Sequence, residues 1–322
     1  MTKQTKIDRL AVSTKSRLDD VCRALERFFE PVGRVTLSHR KRGALRFDFA
    51  ADLTVNEAQV AMLAWGGEGQ GGRLYCDVSG QGCQLLEDRV EALTESMVDL
   101  DDARLRRVDI AADFYDGSVS YESVVEAHQA GKFNGGGRPP KMDCITHSDP
   151  NEGRTAYIGK RESPKFLRGY EKGLQMANIA RKSVGGKDYE DLCIEHFKQW
   201  EIQVDGVRTK LADWFRIEAE LKAADAKSLD WNLVADRDSY FTGLYPYLQE
   251  VYPNISPELL LRPQRVGVMC VDAALANIQR QYGSTLYTAL AVYGGDIFSV
   301  WDRIIGSRHN ERLLRMGALL DT

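Results

Sequence analysis

The stretch "RRVDIAADFYDG", residues 106–117, decides the fold prediction. Apolar residues recur at every second position, as in a strand with one face on a core. They are Val108, Ile110, Ala112 and Phe114. The opposite face carries Arg107, Asp109, Ala111 and Asp113. The alternation predicts a half-buried strand whose second face is charged.

Helices and strands alternate on both sides of this strand. Helical periodicity and capping residues predict helices at 16–30, 54–65, 85–98 and 120–131. In the second of these, Thr54 and Glu57 have the spacing of a capping box. Alternating patterns predict strands at 34–38, 44–50, 73–80, 141–146, 155–161, 165–172 and 213–223. We therefore predict an α+β fold of antiparallel sheets with packed helices, followed by a mainly helical C-terminal part.

One internal similarity suggests a duplication. "RFDFAADL" (46–53) and "RVDIAADF" (107–114) share five residues in register. Eight positions are few, so chance is the alternative explanation. If the similarity is real, it predicts two pseudo-repeated units of about 16–100 and 101–224. Together they make a catalytic domain of residues 1–224, followed by a helical region of residues 225–322 whose role is open.

Composition restricts the class of protein. The chain has 322 residues, a net charge of −4 and 43% hydrophobic residues, which suits one or two soluble domains. No apolar run approaches the roughly 20 residues of a membrane span, and the N-terminus lacks a secretory signal. Six scattered cysteines without a CxxC motif indicate reduced thiols in a cytoplasm.

Positive charge is concentrated in two segments. Residues 34–46 contain five Lys or Arg residues, among them Arg40, Lys41 and Arg42, and no acid. Residues 153–166 place Tyr157 among cations, which are Arg154, Lys160, Arg161 and Lys165. Cations interleaved with aromatic residues suit a phosphate backbone and stacked bases, so these segments are predicted to bind DNA. The alternative is a solvated face of ordinary surface charge.

A second charged strand, "RIEAELK" (216–222), predicts a metal site together with the first. Half-buried strands rarely carry adjacent acids on one face without a cation, and oxygen ligands suit Mg²⁺ or Mn²⁺. Glu218 and Glu220 are about 6.6 Å apart along a strand, whereas Asp109 and Asp113 are about 13 Å apart. We therefore predict Asp109, Glu218 and Glu220 as ligands, with Asp113 supporting them or pairing with an arginine. The alternative is a set of surface ion pairs within residues 216–222.

The stretch "FLRGYEKG" (166–173) contains the candidate nucleophile. In a strand, Arg168, Tyr170 and Lys172 point to the same side. The two cations are expected to favour the phenolate of Tyr170, which makes it a candidate for covalent catalysis. The alternative is a surface tyrosine that packs on the stems of its neighbours.

The ordered motifs "RVDIAADF", "TAYIGKRESPKFLRGYEK" and "RIEAELK" resemble the replication initiation factor family of rolling-circle plasmids and filamentous phages. The upstream "RLYCDVSGQGC" resembles the phage branch, and the similarity covers roughly residues 34–222. One departure is Lys160, where related sequences often have a small residue. The resemblance also fits the five isolated histidines, since nicking enzymes of the other large class bind metal through paired histidines.

The resemblance implies that Tyr170 cuts one DNA strand at an origin and stays joined to the 5′ phosphate. It also implies that the strand is later resealed, that the acidic motifs place Mg²⁺ or Mn²⁺ at the scissile phosphate, and that Arg161 and Arg168 offset transition-state charge. Lys172 would bias Tyr170 towards phenolate. The implied partners are single-stranded or hairpin origin DNA, a host helicase and polymerase, and a second copy of the chain in a homodimer. The expected location is the cytoplasm of a bacterial host, without membrane contact.

Three alternatives stay open from the sequence. The protein could be a non-catalytic origin-binding or regulatory factor of the same fold, or a metal nuclease in which water attacks directly. Tyr157 could stack a base or act as a second nucleophile. The region 225–322 could recognise duplex DNA, contact a helicase or mediate dimerisation.

Overall fold

The structure is a computed structural model, and it describes residues 4–135, 139–148, 150–186, 188, 192–204, 207–224, 227–258 and 271–308. The chain divides into two compact units, Met1–Leu259 and Leu260–Thr322. The first unit therefore extends beyond the sequence-based boundary at residue 224. Arg237 accounts for part of this, because its buried guanidinium donates to the Thr5 carbonyl and to Glu91.

The first unit is built on one large antiparallel sheet, which confirms the predicted α+β class. Its strands are β1 (Thr5–Thr14), β2 (Val35–His39), β3 (Phe49–Val55), β4 (Ala58–Trp65), β5 (Leu74–Val78), β6 (Arg104–Phe114), β7 (Met142–Ile145), β8 (Thr155–Ile158), β9 (Lys165–Tyr170) and β12 (Phe215–Lys222). In the part of the chain that the structure describes, these ten strands have the order β2-β3-β4-β5-β1-β6-β12-β9-β8-β7. A separate hairpin joins β10 (Glu201–Val204) and β11 (Val207–Lys210).

The sheet consists of two halves with the same strand order. From its outer edge inwards, one half reads β2-β3-β4-β5-β1 and the other reads β7-β8-β9-β12-β6, so β1 and β6 meet at the centre. In each half the central strand is followed in the chain by a helix and then by the three outer strands. This topology supports a duplicated unit. The eight-residue similarity does not trace it, because its two copies lie on β3 and β6, which hold different places in the two halves.

Eleven helices are described in the two units. They are α1 (Leu18–Phe29), α2 (Gly80–Leu86), α3 (Arg89–Val98), α4 (Tyr121–Gln129), α5 (Lys172–Gly185), α6 (Ile194–Lys198), α7 (Asn232–Ala235), α8 (Arg237–Thr242), α9 (Pro246–Val251), α10 (Val271–Val292) and α11 (Ile297–Ile304). In helix α1, Val21, Leu25 and Phe29 recur at helical spacing and are fully buried. No helix among the described residues is long and apolar enough to cross a bilayer.

The predicted helix at 54–65 is wrong. This segment completes β3, turns at Asn56 and Glu57, and returns as β4. Both turn residues have positive φ, 48° and 70°, as a tight two-residue hairpin requires. The Asn56 side chain also accepts a hydrogen bond from the Arg34 amide, which holds the turn against the end of β2. Thr54 and Glu57 therefore have the spacing of a capping box without capping a helix: Thr54 lies in β3 and Glu57 in the turn.

Helix α2 packs closely on the sheet because it contains glycine at the contact. A Cβ at Gly82 would lie 2.3 Å from the Val60 carbonyl oxygen of β4. The next residue, Cys83, is 2% exposed. The Gly-Cys pair therefore has a packing role.

We expect Gly82→Ala to destabilise the protein by about 1–3 kcal/mol, because the added methyl must push α2 away from β4. Urea unfolding measures the effect. Gly69→Ala is the control, since a Cβ there meets no atom within 4 Å. Equal stability of the two variants would contradict the close contact.

Candidate functional site

The charged side chains of three neighbouring strands share one face of the sheet. In the register, Glu220 lies opposite Asp109, Glu218 opposite Arg168, and Arg216 opposite Tyr170. Register partners point to the same side of a sheet. The three predicted metal ligands therefore lie together at the centre of the sheet, with Tyr170 beside them. They are also buried, with Asp109 2%, Glu218 1% and Glu220 7% exposed.

Tyr170 lies between two cations and against a carboxylate. Its ring centre is 5.8 Å from the Arg168 guanidinium carbon and 5.9 Å from Lys172 Nζ. Its hydroxyl lies 3.5 Å from Glu218 Oε2, at the long end of hydrogen bonding. Lys172 reaches this position from the first residue of α5 rather than from the strand.

The protonation of Tyr170 differs from the sequence-based expectation. Burial raises the pKa of Tyr170 to about 12, and the charge of Glu218 adds to the rise. Arg216 and Arg168 oppose it without cancelling it. Burial, followed by the charge of Arg216, also lowers the pKa of Lys172. In this arrangement Tyr170 is a neutral phenol whose proton needs an acceptor.

Arginines neutralise the buried carboxylates. Arg107 donates to both oxygens of Asp109, at 2.7 and 2.6 Å, and to Glu220 at 2.7 Å. Arg168 is hydrogen-bonded to Glu218, and Lys222 lies 2.7 Å from Glu220. Burial nevertheless raises the pKa of Asp109 to about 6, with Glu218 and Glu220 adding to the rise against the effect of Arg107. Burial therefore keeps the pKa of Asp109 raised even with Arg107 in place.

The donor chemistry of this site fits a hard divalent ion. It offers three buried carboxylates from two adjacent strands and no soft ligand, as Mg²⁺ or Mn²⁺ requires. Among the described residues no three carboxylates, histidines or cysteines converge on one point in this arrangement. Asp109 and Glu220 converge instead on one nitrogen of Arg107. Asp109, Glu218 and Glu220 therefore remain a predicted ligand set, and the arginines would have to move to admit the ion.

Asp113 is bound by other residues. Arg216 donates to both of its oxygens, at 2.6 and 2.8 Å, and Trp214 Nε1 donates at 2.7 Å. Lys6 lies 3.6 Å away. Burial raises the pKa of Asp113, but the hydrogen bonds and charge of Arg216 outweigh it and leave that pKa below its usual value. Of the two predicted roles, the structure shows the pairing with an arginine.

The predicted DNA-binding residues of the second half lie at both ends of β9. Lys160 and Arg161 are exposed at the turn between β8 and β9. The first residue of β9 is about 16 Å along the strand from Tyr170, which separates Arg161 from the phenol. Arg154 lies at the other end, where it pairs with Glu171 and Glu122.

Two other predicted contacts are occupied within the protein. Lys165 Nζ donates to the Leu244 carbonyl at 2.7 Å and lies 3.7 Å from the Tyr245 ring centre. Tyr157 stacks on Phe166, with ring centres 5.5 Å apart, and lies opposite Arg168 in the register. Tyr157 thus shares the charged face with Tyr170 but contacts an apolar ring.

The predicted basic segment of the first half is remote from Tyr170. Arg40 makes two hydrogen bonds to Asp52, while Lys41 and Arg42 are exposed in the loop between β2 and β3. Six strand spacings separate β3 from β9, a distance of about 29 Å. These cations can act on a long DNA but not at the same phosphate as Tyr170.

Sequence reasoning missed Arg107 and Arg216 as members of the site. Both lie on the same alternating faces as the predicted acids, Arg107 two residues before Asp109 and Arg216 two residues before Glu218. Their partners on the adjacent strand follow from the register, which the sequence does not give. The alternating pattern of residues 213–223 gave no reason to assign Trp214 a hydrogen bond to Asp113.

Residues 103–256 match the replication initiation factor family, which confirms the resemblance drawn from the three motifs over this part of the chain. The phage branch stays a prediction. A solved structure of a rolling circle replication initiator protein from Geobacillus stearothermophilus is 19% identical, with a TM-score of 0.46, and the alignment covers 68% of this chain and 74% of that one. None of the curated proteins matches the chain.

We expect Arg216→Ala to lower the free energy of unfolding by about 3–5 kcal/mol near pH 7, because it leaves Asp113 buried with only the more distant Lys6 as a cation. Since Arg216 lowers the pKa of Asp113, its contribution is present above the ordinary value of 3.8 and is lost as the pH falls below it. Urea unfolding of the variant and the unaltered protein, near pH 7 and again below pH 3.8, measures the loss of stability. Arg40→Ala is the matched control, because its exposed pair with Asp52 is worth about 1 kcal/mol or less. A loss that does not shrink at low pH would contradict this role.

Proposed function

From the match of residues 103–256 to the replication initiation factor family, we propose that the protein initiates rolling-circle replication by nicking and resealing one DNA strand at an origin. The nucleophile is Tyr170, and the intermediate is a covalent 5′-phosphotyrosine. The observation that carries the proposal is the position of the Tyr170 hydroxyl, against Glu218 and between Arg168 and Lys172.

The residues of the site suit this strand transfer. The phenol oxygen of Tyr170 attacks phosphorus, the bond from phosphorus to the 3′ oxygen breaks, and the leaving oxygen takes up a proton. Tyr170 loses its proton before the attack, and Glu218 orients the phenol, since its Oε2 lies 3.5 Å from that hydroxyl. Arg168 and Lys172 offset the charge that develops on the phosphate. Resealing is the reverse reaction, with the 3′ hydroxyl as the nucleophile.

A divalent ion, Mg²⁺ or Mn²⁺, would supply charge stabilisation at the scissile phosphate. Asp109, Glu218 and Glu220 would hold it. Asp113 would keep β6 and β12 in register through Arg216, because the pair joins these two strands beside the site.

An open cleft beside Tyr170 provides a route for the strand. It is lined by Arg154, Thr155, Tyr170, Gln175, Asn178 and Lys182 among others. The acids Glu152 and Glu171 line it as well, so contact with a phosphate backbone would rest on Lys182 and on the polar side chains. The exposed cations Lys160 and Arg161, and the remote Lys41 and Arg42, would contact flanking DNA.

The remaining assignments extend this proposal. The substrate would be single-stranded or hairpin origin DNA, in a bacterial host cytoplasm, with a host helicase, a polymerase and a second copy as partners. Catalysis would belong to the first unit, and helices α10 and α11 of the second would serve recognition or assembly.

We expect a covalent protein–DNA adduct when the full chain is incubated with an origin-derived single strand and Mn²⁺. Tyr170→Phe should abolish the adduct, because it removes the attacking oxygen. The matched control is Tyr157→Phe, which removes a hydroxyl from the same face of the sheet. Denaturing gels measure the adduct.

Two outcomes of that experiment would contradict the proposal. Binding without an adduct in the unaltered protein would favour a non-catalytic origin-binding factor. Cleavage that survives Tyr170→Phe and is lost in Glu218→Gln would favour a metal nuclease in which water attacks.

We also expect the rate of adduct formation to rise with pH, about tenfold per unit between about pH 6.5 and 8.5. A phenol with a pKa of about 12 is only about 0.001% phenolate at neutral pH, and this fraction grows tenfold per unit. Single-turnover rates at saturating Mn²⁺ measure it, with DNA binding followed at each pH as the control. A rate that is flat over this range would contradict attack by the ionised form of Tyr170.

A further inference from the structure

One nitrogen of Arg107 occupies a position between two of the predicted metal ligands. Its Nη2 lies 2.6 Å from Asp109 Oδ2 and 2.7 Å from Glu220 Oε2. These carboxylates come from two different strands, and both are buried. The contact therefore joins the same pair of oxygens that a bridging cation would join.

A guanidinium nitrogen and a divalent ion cannot occupy the same point between these two oxygens. Mg²⁺ binds carboxylate oxygens at about 2.0–2.1 Å, closer than the arginine nitrogen approaches them. Two cations on the same pair of oxygens would also repel each other strongly in a buried site.

We propose that Arg107 is a displaceable counter-cation, which neutralises Asp109 and Glu220 until a divalent ion takes its place. The inference rests on the proposed function for the identity of the ion and of its ligands. Arg107 is a positioning residue in this account, since it acts through the carboxylates rather than on the reacting atoms.

Displacement gives Arg107 a second role. Its side chain is 20% exposed, so the guanidinium can turn towards solvent on the charged face of the sheet. In that position it no longer contacts Asp109 or Glu220, and it can make bidentate hydrogen bonds to a phosphate group. Metal binding would then favour DNA binding, and by linkage DNA would favour metal binding.

The neighbouring Arg9 provides a matched comparison. It also lies on the charged face, opposite Asp109 in the register, and makes two hydrogen bonds to a carboxylate. Its partner is Asp77, however, which is not in the predicted ligand set. Loss of Arg9 therefore removes a similar positive charge near Asp109 without opening a position between two ligands.

The test is Mn²⁺ binding to the full chain without DNA, by calorimetry and by electron paramagnetic resonance. We expect Arg107→Gln to bind Mn²⁺ about tenfold more tightly or better, the size of a typical coupling between sites. Arg9→Gln should change the affinity less than about threefold. Arg107→Lys should be intermediate, because it keeps the charge but lacks the planar fork that binds Asp109 through two nitrogens. It serves as the second variant if Arg107→Gln folds poorly. Loss of the bound Mn²⁺ in Glu218→Gln identifies the site.

Several results would overturn the inference. Unchanged or weaker Mn²⁺ binding in Arg107→Gln and Arg107→Lys would do so, and equal tightening in Arg9→Gln would show a general effect of charge. Absence of Mn²⁺ binding in every variant would overturn the metal assignment as well. The Tyr170 adduct tests the proposed nicking separately, so the two failures are distinguishable.

DNA binding gives a second readout, measured in the Tyr170→Phe background to prevent covalent reaction. Mn²⁺ should tighten binding of an origin-derived strand several-fold when Arg107 is present. The gain should be smaller in Arg107→Gln, where only the contact of the ion itself with phosphate remains, and should persist in full in Arg9→Gln. An equal gain in both variants would contradict the release of Arg107 to phosphate.

Discussion

The rest of the structure depends on one constraint: the buried carboxylates of β6 and β12 must be paired with cations, some of which reach them from the neighbouring strand. Asp109, Glu218 and Glu220 are almost without exposure, and such carboxylates are costly unless cations neutralise them. Arg107, Arg168 and Lys222 provide that charge. Because Arg107 reaches Glu220 and Arg168 reaches Glu218 on a neighbouring strand, the site is complete only when these strands are paired.

The two halves of the sheet share a topology but not a chemistry. In the second half, Tyr170 of β9 lies opposite Arg216 of β12. In the first half, β4 holds the place of β9 in the strand order, and it contains no tyrosine. The residues that match the replication initiation factor family begin at 103, where the second half begins. This division is consistent with chemistry in one half and support or DNA contact in the other.

The sequence predicted the elements whose pattern is local. Alternation over 106–117 and 213–223 identified β6 and β12, and the predicted ligands on them do lie together. The helix predicted at 54–65 failed because two residues with positive φ form a hairpin turn, which the Thr54–Glu57 spacing imitates. The pairing of Arg107 and Arg216 could not be predicted, since it depends on which strands become neighbours. The pKa of Tyr170 also could not, because burial decides it and outweighs the charges of Arg216 and Arg168.

The central claim is that the phenol oxygen of Tyr170 faces a phosphorus atom held beside Asp109, Glu218 and Glu220. A crystal structure with Mn²⁺ and an uncleavable origin strand, using the anomalous signal of manganese, tests it most directly. The account predicts Mn²⁺ bonded to these carboxylates, with the phenol oxygen in line with the scissile phosphorus. A manganese ion bound elsewhere, or a phosphate on the opposite face of the sheet from Tyr170, would contradict it.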